Sequence, residues 1–334
     1  MSIFPNLRLE EEMIQREVVS RGFKRVLIQT PEGLRPHLKE LIDRLRKSGV
    51  TVLLSGNPCF GACNIALTEA ERLKVDAIIH IGHSQMVSHG NIPVLYFDAM
   101  YDSPIEECVN RWEEQIKSTG SKVALFSNLQ FIWCLEKIRR ILENWGLKVF
   151  IGSGVGVKYS GQVLGCNYTA PLNVEEYVDF FLFVGDGSFH PLGLALLTSK
   201  KVLALNPITC SLSDMSELKR KYLRRVYASI VKARTGRVFG VLVGLESGQF
   251  RLELAEGIKK LIEATGREAY LMGFNYLTPD FLEAYAWIDV FVNTACPRLS
   301  IEDSERINRP ILNPAELLVA LGLISWEEYV GEYS

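Results

Sequence analysis

The sequence predicts an α/β protein made of three small domains related by a pseudo-threefold repeat, each a short parallel sheet flanked by helices. Three observations predict it. Apolar, β-branched segments alternate with helical segments, which is typical of parallel strands buried on both faces. The same layout occurs three times along the 334 residues. The composition, 48% apolar and 23% charged, is that of an ordinary globular protein and excludes disordered, collagen-like and coiled-coil chains.

Each repeat contains the same series of strands separated by helical stretches. A helix leads into a first apolar strand, at residues 22–30, 120–128 and 236–244. A glycine opens the second strand, at residues 49–56, 146–154 and 266–274. An apolar residue and an aspartate open the third, at residues 75–84, 178–188 and 288–297. A fourth strand is predicted at residues 92–98 and 200–207, with a weaker candidate at residues 309–314.

Turn and cap residues mark the borders between the repeats, near Tyr101–Pro104 and Thr209–Asp214. The predicted domains are therefore residues 1–103, 104–211 and 212–334.

Charge and hydropathy narrow the class of protein. The chain has 37 Lys and Arg against 39 Asp and Glu, so bulk charge gives no argument for nucleic-acid binding. Its acidic, amphipathic start does not resemble a signal peptide. No apolar run approaches the roughly 18 residues of a membrane helix. We expect a soluble, cytoplasmic protein without a membrane or nucleic-acid partner.

The repeat places three of the seven cysteines at the functional edges of the predicted sheets. Cys63 and Cys166 each lie 12 residues before the third strand of their repeat, in equivalent loops. Cys296 lies at the carboxyl end of the third strand of its own repeat, and ligands of parallel sheets bind at this edge. Any one cysteine alone is more often a core residue. Three thiolates, if they converge, suit a [4Fe–4S] cluster with one open iron better than the closed shell of a structural zinc.

Several segments together resemble one known family, and they occur in the right order over nearly the whole chain. The sequence resembles the archaeal diphthamide-biosynthesis radical enzymes, the 2-(3-amino-3-carboxypropyl)histidine synthase family. The matching segments are QTPEGLR (29–35), GACN around Cys63, HIGHS (80–84), GQVLGCNY (161–168), VGDGSFHPLGLA (184–195), SGQFRLELA (247–255) and ACPR (295–298). The resemblance implies three α/β domains, each giving one cysteine to a [4Fe–4S] cluster, with Cys63, Cys166 and Cys296 as ligands.

The resemblance also implies the reaction. A reduced cluster cleaves the bond between sulfur and Cγ of S-adenosylmethionine, releasing 5′-methylthioadenosine. The 3-amino-3-carboxypropyl radical then attacks C2 of a histidine of translation elongation factor 2. Family members need an electron donor, and archaeal ones are expected to act as homodimers. The CxxxCxxC motif of conventional radical enzymes is absent from this sequence.

Three further residues are candidate contacts to S-adenosylmethionine. Arg298 follows Cys296 by two residues and could pair with the carboxylate of the methionine moiety, or form a surface salt bridge instead. His190 follows the third strand of the second repeat and is either a hydrogen-bond donor or a turn residue. Gln249 follows the first strand of the third repeat and could bind an amino or carboxylate group.

The remaining cysteines depart from the family pattern or have no assigned role. Cys59 lies four residues before Cys63, and it could substitute for that ligand or bind a damaged cluster. Cys108 and Cys134 lie in helical stretches and are interpreted as core or surface thiols, while Cys210 receives no role. An odd number of cysteines without a secretion signal argues against a disulfide framework.

Two alternative functions stay open. A quinolinate-synthase-like enzyme also has three α/β domains and a three-cysteine [4Fe–4S] cluster, but it does not need S-adenosylmethionine. A non-enzymatic iron–sulfur redox protein or a structural zinc protein would not need Arg298, Gln249 and His190. The basic run Lys219–Arg225 is a solvated helix face or a docking surface for the protein substrate.

Overall fold

The structure, a computed structural model, describes residues 7–86, 90–301 and 307–331. The first six residues of the acidic start lie outside this part of the chain. Across the described ranges, no helix is long and apolar enough to cross a membrane.

The chain alternates strands and helices as the sequence predicts. The first repeat contains β1 (Leu7–Leu9), α1 (Glu11–Ser20), β2 (Arg25–Gln29), a 3₁₀ helix (Glu32–His37), α2 (Lys39–Lys47), β3 (Thr51–Leu54), α3 (Leu67–Leu73), β4 (Ala77–Ile81), β5 (Val94–Phe97) and β6 (Ala99–Tyr101). The second contains α4 (Ile105–Arg111), α5 (Glu113–Thr119), β7 (Lys122–Ser127), a 3₁₀ helix (Leu129–Cys134), α6 (Leu135–Asn144), β8 (Lys148–Phe150), α7 (Thr169–Leu172), a 3₁₀ helix (Glu175–Tyr177), β9 (Phe180–Val184), α8 (Phe189–Leu197), β10 (Lys201–Asn206) and β11 (Ser211–Asp214).

The third repeat contains α9 (Ser216–Ala233), β12 (Val238–Gly244), α10 (Leu252–Glu263), β13 (Glu268–Phe274), α11 (Pro279–Glu283), β14 (Val290–Asn293), α12 (Arg298–Ile301), β15 (Ile311–Leu312), α13 (Pro314–Ala320) and α14 (Trp326–Gly331). Every predicted strand of the three repeats is present, including the weaker candidate, which forms β15.

The three larger sheets share one strand order. They run β3-β2-β4-β5, β8-β7-β9-β10-β11 and β13-β12-β14-β15, so the first strand of each repeat lies between its second and third. The first and third sheets are parallel throughout, as are the β7–β8 and β7–β9 pairs of the second. A separate antiparallel pair joins β1 to β6. The chain is thus a mixed α/β protein with several mostly parallel sheets flanked by helices.

One aspartate per repeat fastens the start of the third strand to the start of the first. Asp76, Asp179 and Asp289 each accept two backbone N–H bonds of 2.6–2.9 Å from consecutive residues at the first strand. The backbone N–H donors hold the pKa of Asp76 and of Asp179 below the ordinary value, since they favour the carboxylate. The apolar-Asp opening seen in the sequence therefore has a structural cause in all three repeats.

The chain divides into two compact units. The first comprises Met1–Asp186 and Leu205–Leu212, and the second comprises Gly187–Ala204 and Ser213–Ser334. The first unit holds the β1–β6 pair, the β3-β2-β4-β5 sheet, and strands β7, β8 and β9. In the second unit, the sheet that begins with β13 packs against α9, α10 and α13 through a large apolar core. The division into three domains at residues 103 and 211 stays a prediction.

Cys108 and Cys210 correct an expectation from the sequence. The structure joins them by a disulfide within the first unit, with Cα atoms 4.8 Å apart. Cys108 lies buried on α4, and Cys210 lies in the turn between β10 and β11, where the backbone carbonyl of Cys210 accepts a 2.9 Å bond from Trp112 Nε1. The odd cysteine count was a poor guide because it does not forbid one pair, and the partners are 102 residues apart. Of the two interpretations left open for Cys134, a core or a surface thiol, the structure supports the first, since this side chain is buried.

Candidate functional site

Cys166 lies at the tip of a two-residue hairpin turn. Leu164 and Asn167 exchange backbone hydrogen bonds of 3.0 Å each, which places Gly165 and Cys166 in the turn between them. The side chain of Cys166 is exposed. The hairpin lies between β8 and α7, in the loop that the sequence predicts.

Asn167 and Gly161 fix the loop on either side of this turn. The Asn167 amide donates to the carbonyl of Val155 at 2.7 Å, and its oxygen accepts from the backbone N–H of Thr169 at 3.0 Å. Gly161 has φ +75°, and a Cβ there would lie 2.6 Å from the side chain of Leu135. Only glycine fits this position without strain. Other residues rarely adopt this left-handed backbone conformation, and their Cβ would collide with the side chain of Leu135.

Gln162 ties the same loop to the first repeat. Its side-chain oxygen accepts the backbone N–H groups of Lys158 and Tyr159, and its amide donates to Ser84 Oγ at 3.0 Å. The carboxylate of buried Asp98 accepts bonds from Lys158 Nζ at 2.7 Å and from the Tyr159 hydroxyl at 2.5 Å. Burial opposes the charged form of Lys158, yet these bonds raise its pKa above the ordinary value. The Cys166 loop is therefore anchored just beyond the carboxyl ends of β4 and β5.

Cys63 lies in a turn after β3. The backbone N–H of Asn64 donates to the carbonyl of Gly61 at 3.2 Å across this turn. Gln29, at the end of β2, fixes the segment that follows. Its amide donates to the carbonyl of Asn64 at 2.8 Å, and its oxygen accepts the N–H of Ala66 at 3.1 Å. The Cys63 side chain is 9% exposed.

Cys59 contacts a histidine pair that sequence reasoning missed. Its Sγ lies 4.0 Å from His83 Nδ1, which lies 3.0 Å from His80 Nε2. The other ring nitrogen of His80 lies 3.1 Å from the side-chain oxygen of Gln29. Burial raises the pKa of the Cys59 thiol to about 12, and the charge of Glu32 adds to the effect. The signal in the sequence was HIGHS itself, because His80 is a polar residue within an apolar strand and His83 follows its end.

Cys296 lies in a loop that Asn293 holds from beneath. Asn293 is the last residue of β14 and is buried. Its amide donates to the carbonyl of Cys296 at 3.0 Å and to Ser300 Oγ at 2.9 Å, and its oxygen accepts the N–H of Ala295 at 3.0 Å. The carbonyl of Cys296 also accepts a bond of 3.1 Å from the N–H of Leu299, and this bond lies at the start of α12. The thiol is half-buried, at the carboxyl edge of the sheet.

A buried polar chain continues from this loop into α13. The Ser300 hydroxyl donates to Asn313 Oδ1 at 2.7 Å. Asn313 caps α13 by donating its backbone N–H and its side-chain amide to the Glu316 carboxylate at 2.8 and 3.0 Å. Tyr329 donates a third bond to that carboxylate at 3.2 Å. Burial raises the pKa of Glu316 even with these donors.

Gln249 and Arg298 lie on the same edge of that sheet as Cys296. A Cβ built on Gly244, the last residue of β12, would meet the Cβ atoms of Ala295 and Gln249 at 3.0 and 3.1 Å. The Gln249 loop and the residue before Cys296 therefore both pass directly over the end of β12. Arg298 is the first residue of α12 and is half-buried.

His190 lies in the first turn of α8, where its ring packs edge-on against Phe189 with centroids 5.3 Å apart. The side chain is half-buried, and the residue belongs to the second compact unit.

The candidate residues divide between the two units. Cys63 and Cys166 belong to the first unit, whereas Cys296, Gln249, Arg298 and His190 belong to the second. Within the first unit the two cysteine loops meet around the end of β4, since Cys59 contacts His83 and Gln162 binds Ser84. The convergence of Cys296 with these two cysteines stays a prediction.

Comparison of this chain with known protein families identifies the family to which it belongs. The family model of diphthamide synthesis proteins matches residues 30–330. The chain belongs to the diphthamide synthesis protein family.

This diphthamide synthesis protein is similar to relatives from archaea and eukaryotes. The 2-(3-amino-3-carboxypropyl)histidine synthase of Pyrococcus horikoshii is 38% identical over 317 residues, which cover 95% of this chain and 90% of that protein. Subunit 1 of the Saccharomyces cerevisiae synthase is 31% identical over 305 residues, covering 89% and 71% respectively. The crystal structure of Dph2 from Pyrococcus horikoshii with a 4Fe-4S cluster superposes with a TM-score of 0.88 at 36% identity, covering 95% of this chain and 92% of that one.

The three candidate cysteines of this diphthamide synthesis protein offer the type of donor that such a cluster takes. Cys63 and Cys166 lie in tight turns that follow the second strands of their repeats, and Cys296 follows a third strand. Thiolates are the ligands that iron–sulfur clusters take. Each of the three loops is braced by a buried amide side chain, from Gln29, Gln162 and Asn293. Such bracing is what a preorganised ligand requires.

Proposed function

We propose that this protein is a 2-(3-amino-3-carboxypropyl)histidine synthase, which catalyses the first step of diphthamide biosynthesis. The 3-amino-3-carboxypropyl group of S-adenosylmethionine is transferred to C2 of a histidine in translation elongation factor 2, and 5′-methylthioadenosine is released. One sulfur–carbon bond breaks and one carbon–carbon bond forms. The imidazole then loses a proton from C2 and the one electron that reduction of the sulfonium had added, so the transfer consumes no net electron. The observation that carries the proposal is the braced placement of Cys63, Cys166 and Cys296 in a chain of this family.

Cys63, Cys166 and Cys296 are the proposed ligands of a [4Fe–4S] cluster. When bound, the cluster supplies one electron to the sulfonium and an open iron beside it. The protein around it has to select one of three sulfonium carbon–sulfur bonds, and selection of this kind depends on how the substrate is held. The proposal requires the three repeats to pack around a pseudo-threefold axis, because this arrangement would bring the three thiols together.

The chain's own polar groups are proposed to orient the methionine moiety of the substrate. The Arg298 guanidinium pairs with the carboxylate, because a planar fork of N–H donors matches two carboxylate oxygens. Gln249, at the same sheet edge, binds the amino or carboxylate group. His190 is the third candidate, as a hydrogen-bond donor from the start of α8.

The protein partner and the assembly also belong to the proposal. Archaeal relatives carry the synthase name without a subunit number, whereas the yeast relative is called subunit 1. We expect this chain to act as a homodimer, because the archaeal synthase names imply no second, different subunit, and to receive its electron from a separate donor.

The test uses anaerobically purified protein reconstituted with iron and sulfide. Dithionite and S-adenosylmethionine are added, and the released nucleoside is identified by chromatography. We expect 5′-methylthioadenosine, and with elongation factor 2 present we expect the factor to gain one 3-amino-3-carboxypropyl group by mass spectrometry. Release of 5′-deoxyadenosine, or of neither nucleoside from a protein with an intact cluster, would overturn the proposal. The second result would favour a quinolinate-synthase-like or redox function.

Cys166→Ala and Cys134→Ser are the matched pair of variants. Cys166 is exposed at a turn tip, so its removal should leave the fold intact while iron content and nucleoside release fall together. Cys134 is outside the proposed ligand set, and its buried thiol donates to the carbonyl of Phe131, so Cys134→Ser should keep both. Full iron content and activity in Cys166→Ala would contradict the ligand assignment.

A further inference from the structure

A group of one cysteine and two histidines lies in the first unit, close to the proposed ligand Cys63 and not part of the proposed ligand set. The Sγ of Cys59, one ring nitrogen of His80 and one of His83 all lie within 4.8 Å of one another. Cys59 and His80 are buried, with 1% and 0% of their surface exposed, and His83 is half-buried. Cys59 comes from the loop after β3, whereas the histidines come from the end of β4 and the loop beyond it.

The protonation of His80 follows from its neighbours. The side-chain oxygen of Gln29 is identified by the backbone N–H of Ala66, which can only donate and lies 3.1 Å away. His80 Nδ1 faces the same oxygen at 3.1 Å and must therefore carry a proton. In the neutral ring Nε2 then carries the lone pair, and it is this atom that faces His83. Histidines that bind metals are held in this way, with the outer nitrogen donating to a fixed acceptor.

The separations of the three donor atoms suit one small metal ion. A tetrahedral site with ordinary Zn–N and Zn–S bonds separates two nitrogens by about 3.3 Å and a nitrogen from a sulfur by about 3.6 Å. The observed separations are 3.0 Å from His80 Nε2 to His83 Nδ1 and 4.0 Å from that atom to Cys59 Sγ. All three donor atoms lie within 4.8 Å of one another, so side-chain movements of about an ångström would complete the geometry. A thiolate with two imidazoles is a donor set that zinc prefers.

We propose that Cys59, His80 and His83 form a mononuclear zinc site, separate from the iron–sulfur cluster. The Cys59 thiol releases its proton to solvent when the metal binds, and His83 presents Nδ1 as the neutral tautomer, so no redox step is involved. The fourth position is open to water or another ligand. The site fastens the loop that carries Cys63 to the carboxyl end of β4, and it gives Cys59 a role other than that of a spare cluster ligand.

The first experiment uses a full-length variant in which the three proposed iron–sulfur ligands are replaced by alanine. In protein carrying Cys63→Ala, Cys166→Ala and Cys296→Ala, Co²⁺ is titrated as a coloured substitute for zinc, and Zn²⁺ is then added as competitor. We expect about one equivalent of Co²⁺ to bind with a thiolate-to-cobalt charge-transfer band that Zn²⁺ abolishes. Adding Cys59→Ser or His83→Ala to this variant should remove the band. Adding His37→Ala should keep it, because His37 does not belong to the proposed zinc site. Absence of binding, or a band that survives Cys59→Ser, would overturn the proposal.

A second measurement does not depend on the folding of that triple variant. Zinc and iron are measured in the wild-type holoprotein and in Cys59→Ser after zinc supplementation and desalting. We expect zinc to fall from about one per chain to near zero while iron is retained. Unchanged zinc, or loss of iron in place of zinc, would overturn the site. Failure of 5′-methylthioadenosine release would concern the proposed function alone, because the zinc measurement needs neither substrate nor reductant.

Discussion

Asn293 makes three of the hydrogen bonds that shape the Cys296 loop, and it does so from a buried position. In Asn293→Ala the buried N–H of Ala295 loses its side-chain acceptor, and the hydroxyl of Ser300 loses one donor while keeping its bond to Asn313. Loss of a hydrogen bond to a buried backbone group costs about 1–3 kcal/mol, so we expect a lower midpoint of urea unfolding. We also expect less iron per chain after reconstitution, since the loop no longer fixes its thiol.

The control for this change is Asn110→Ala, an exposed asparagine on α4. It should leave both the unfolding midpoint and the iron content at their wild-type values. If Asn293→Ala behaved like the control in both measurements, the loop geometry would be independent of Asn293.

Single residues show where sequence reasoning reaches its limit. The spacing to the third strand predicted the loops of Cys63 and Cys166, because equal spacing in a repeat means equal position in a fold. Gln29, Gln162 and Asn293 were not predicted as bracing residues. Gln29 and Asn293 end apolar strands, and Gln162 lies in the loop that carries Cys166. Their bonds to Asn64, Ser84 and the Cys296 loop depend on the folded path of the chain, which no local sequence pattern predicts.

At the scale of elements, the length of β8 shows how tertiary contact overrides a strand pattern. The sequence predicts a strand within residues 146–154, but β8 contains only Lys148–Phe150. A Cβ at Gly152 would lie 1.9 Å from the carbonyl of Ala170, and one at Gly154 would lie 2.7 Å from the N–H of the same residue. The chain leaves the sheet here because it packs directly against the backbone of α7. Gly152 and Gly154, which lie at the end of the predicted strand range, therefore begin the Cys166 loop.

Gly161 provides a test of that loop as one unit. Its left-handed backbone and its contact with Leu135 leave no room for a side chain. We expect Gly161→Ala to destabilise the protein by about 1–3 kcal/mol and to lower iron incorporation, because the strain must move the hairpin that carries Cys166. Thermal unfolding and iron analysis measure the two effects.

Gly257→Ala is the matched control, because Gly257 lies within helix α10 and a Cβ there would meet no atom within 4 Å. Alanine is a better helix former than glycine by about 1 kcal/mol, so this variant should be as stable as the wild type or more so. Equal behaviour of the two variants would mean that the space around Gly161 adjusts freely.

At the scale of the whole molecule, the α/β class and the parallel sheets followed from the sequence because strands buried on both faces must be continuously apolar. The order of the strands within each sheet could not be predicted in the same way, since the apolar pattern is the same whichever strands are neighbours. The division into two compact units also has no signal in the sequence. It places residues 187–204 with the third repeat, although their pattern continues the second.

The disulfide between Cys108 and Cys210 closes a long loop in the described chain, since the two residues are 102 positions apart. Closing a loop of this length restricts the unfolded chain, which in the loop-entropy model stabilises the folded state by about 4–5 kcal/mol. We therefore expect the urea midpoint of the apoprotein to fall when a reductant is added. A thiol assay under denaturing, non-reducing conditions should count five thiols, those of the five cysteines outside the pair. The double variant Cys108→Ser with Cys210→Ser should unfold at the reduced wild-type midpoint and show no further response to reductant. Seven titratable thiols in the wild type, with a midpoint that ignores reductant, would show that the pair is held as two thiols and that the fold is stable without the link.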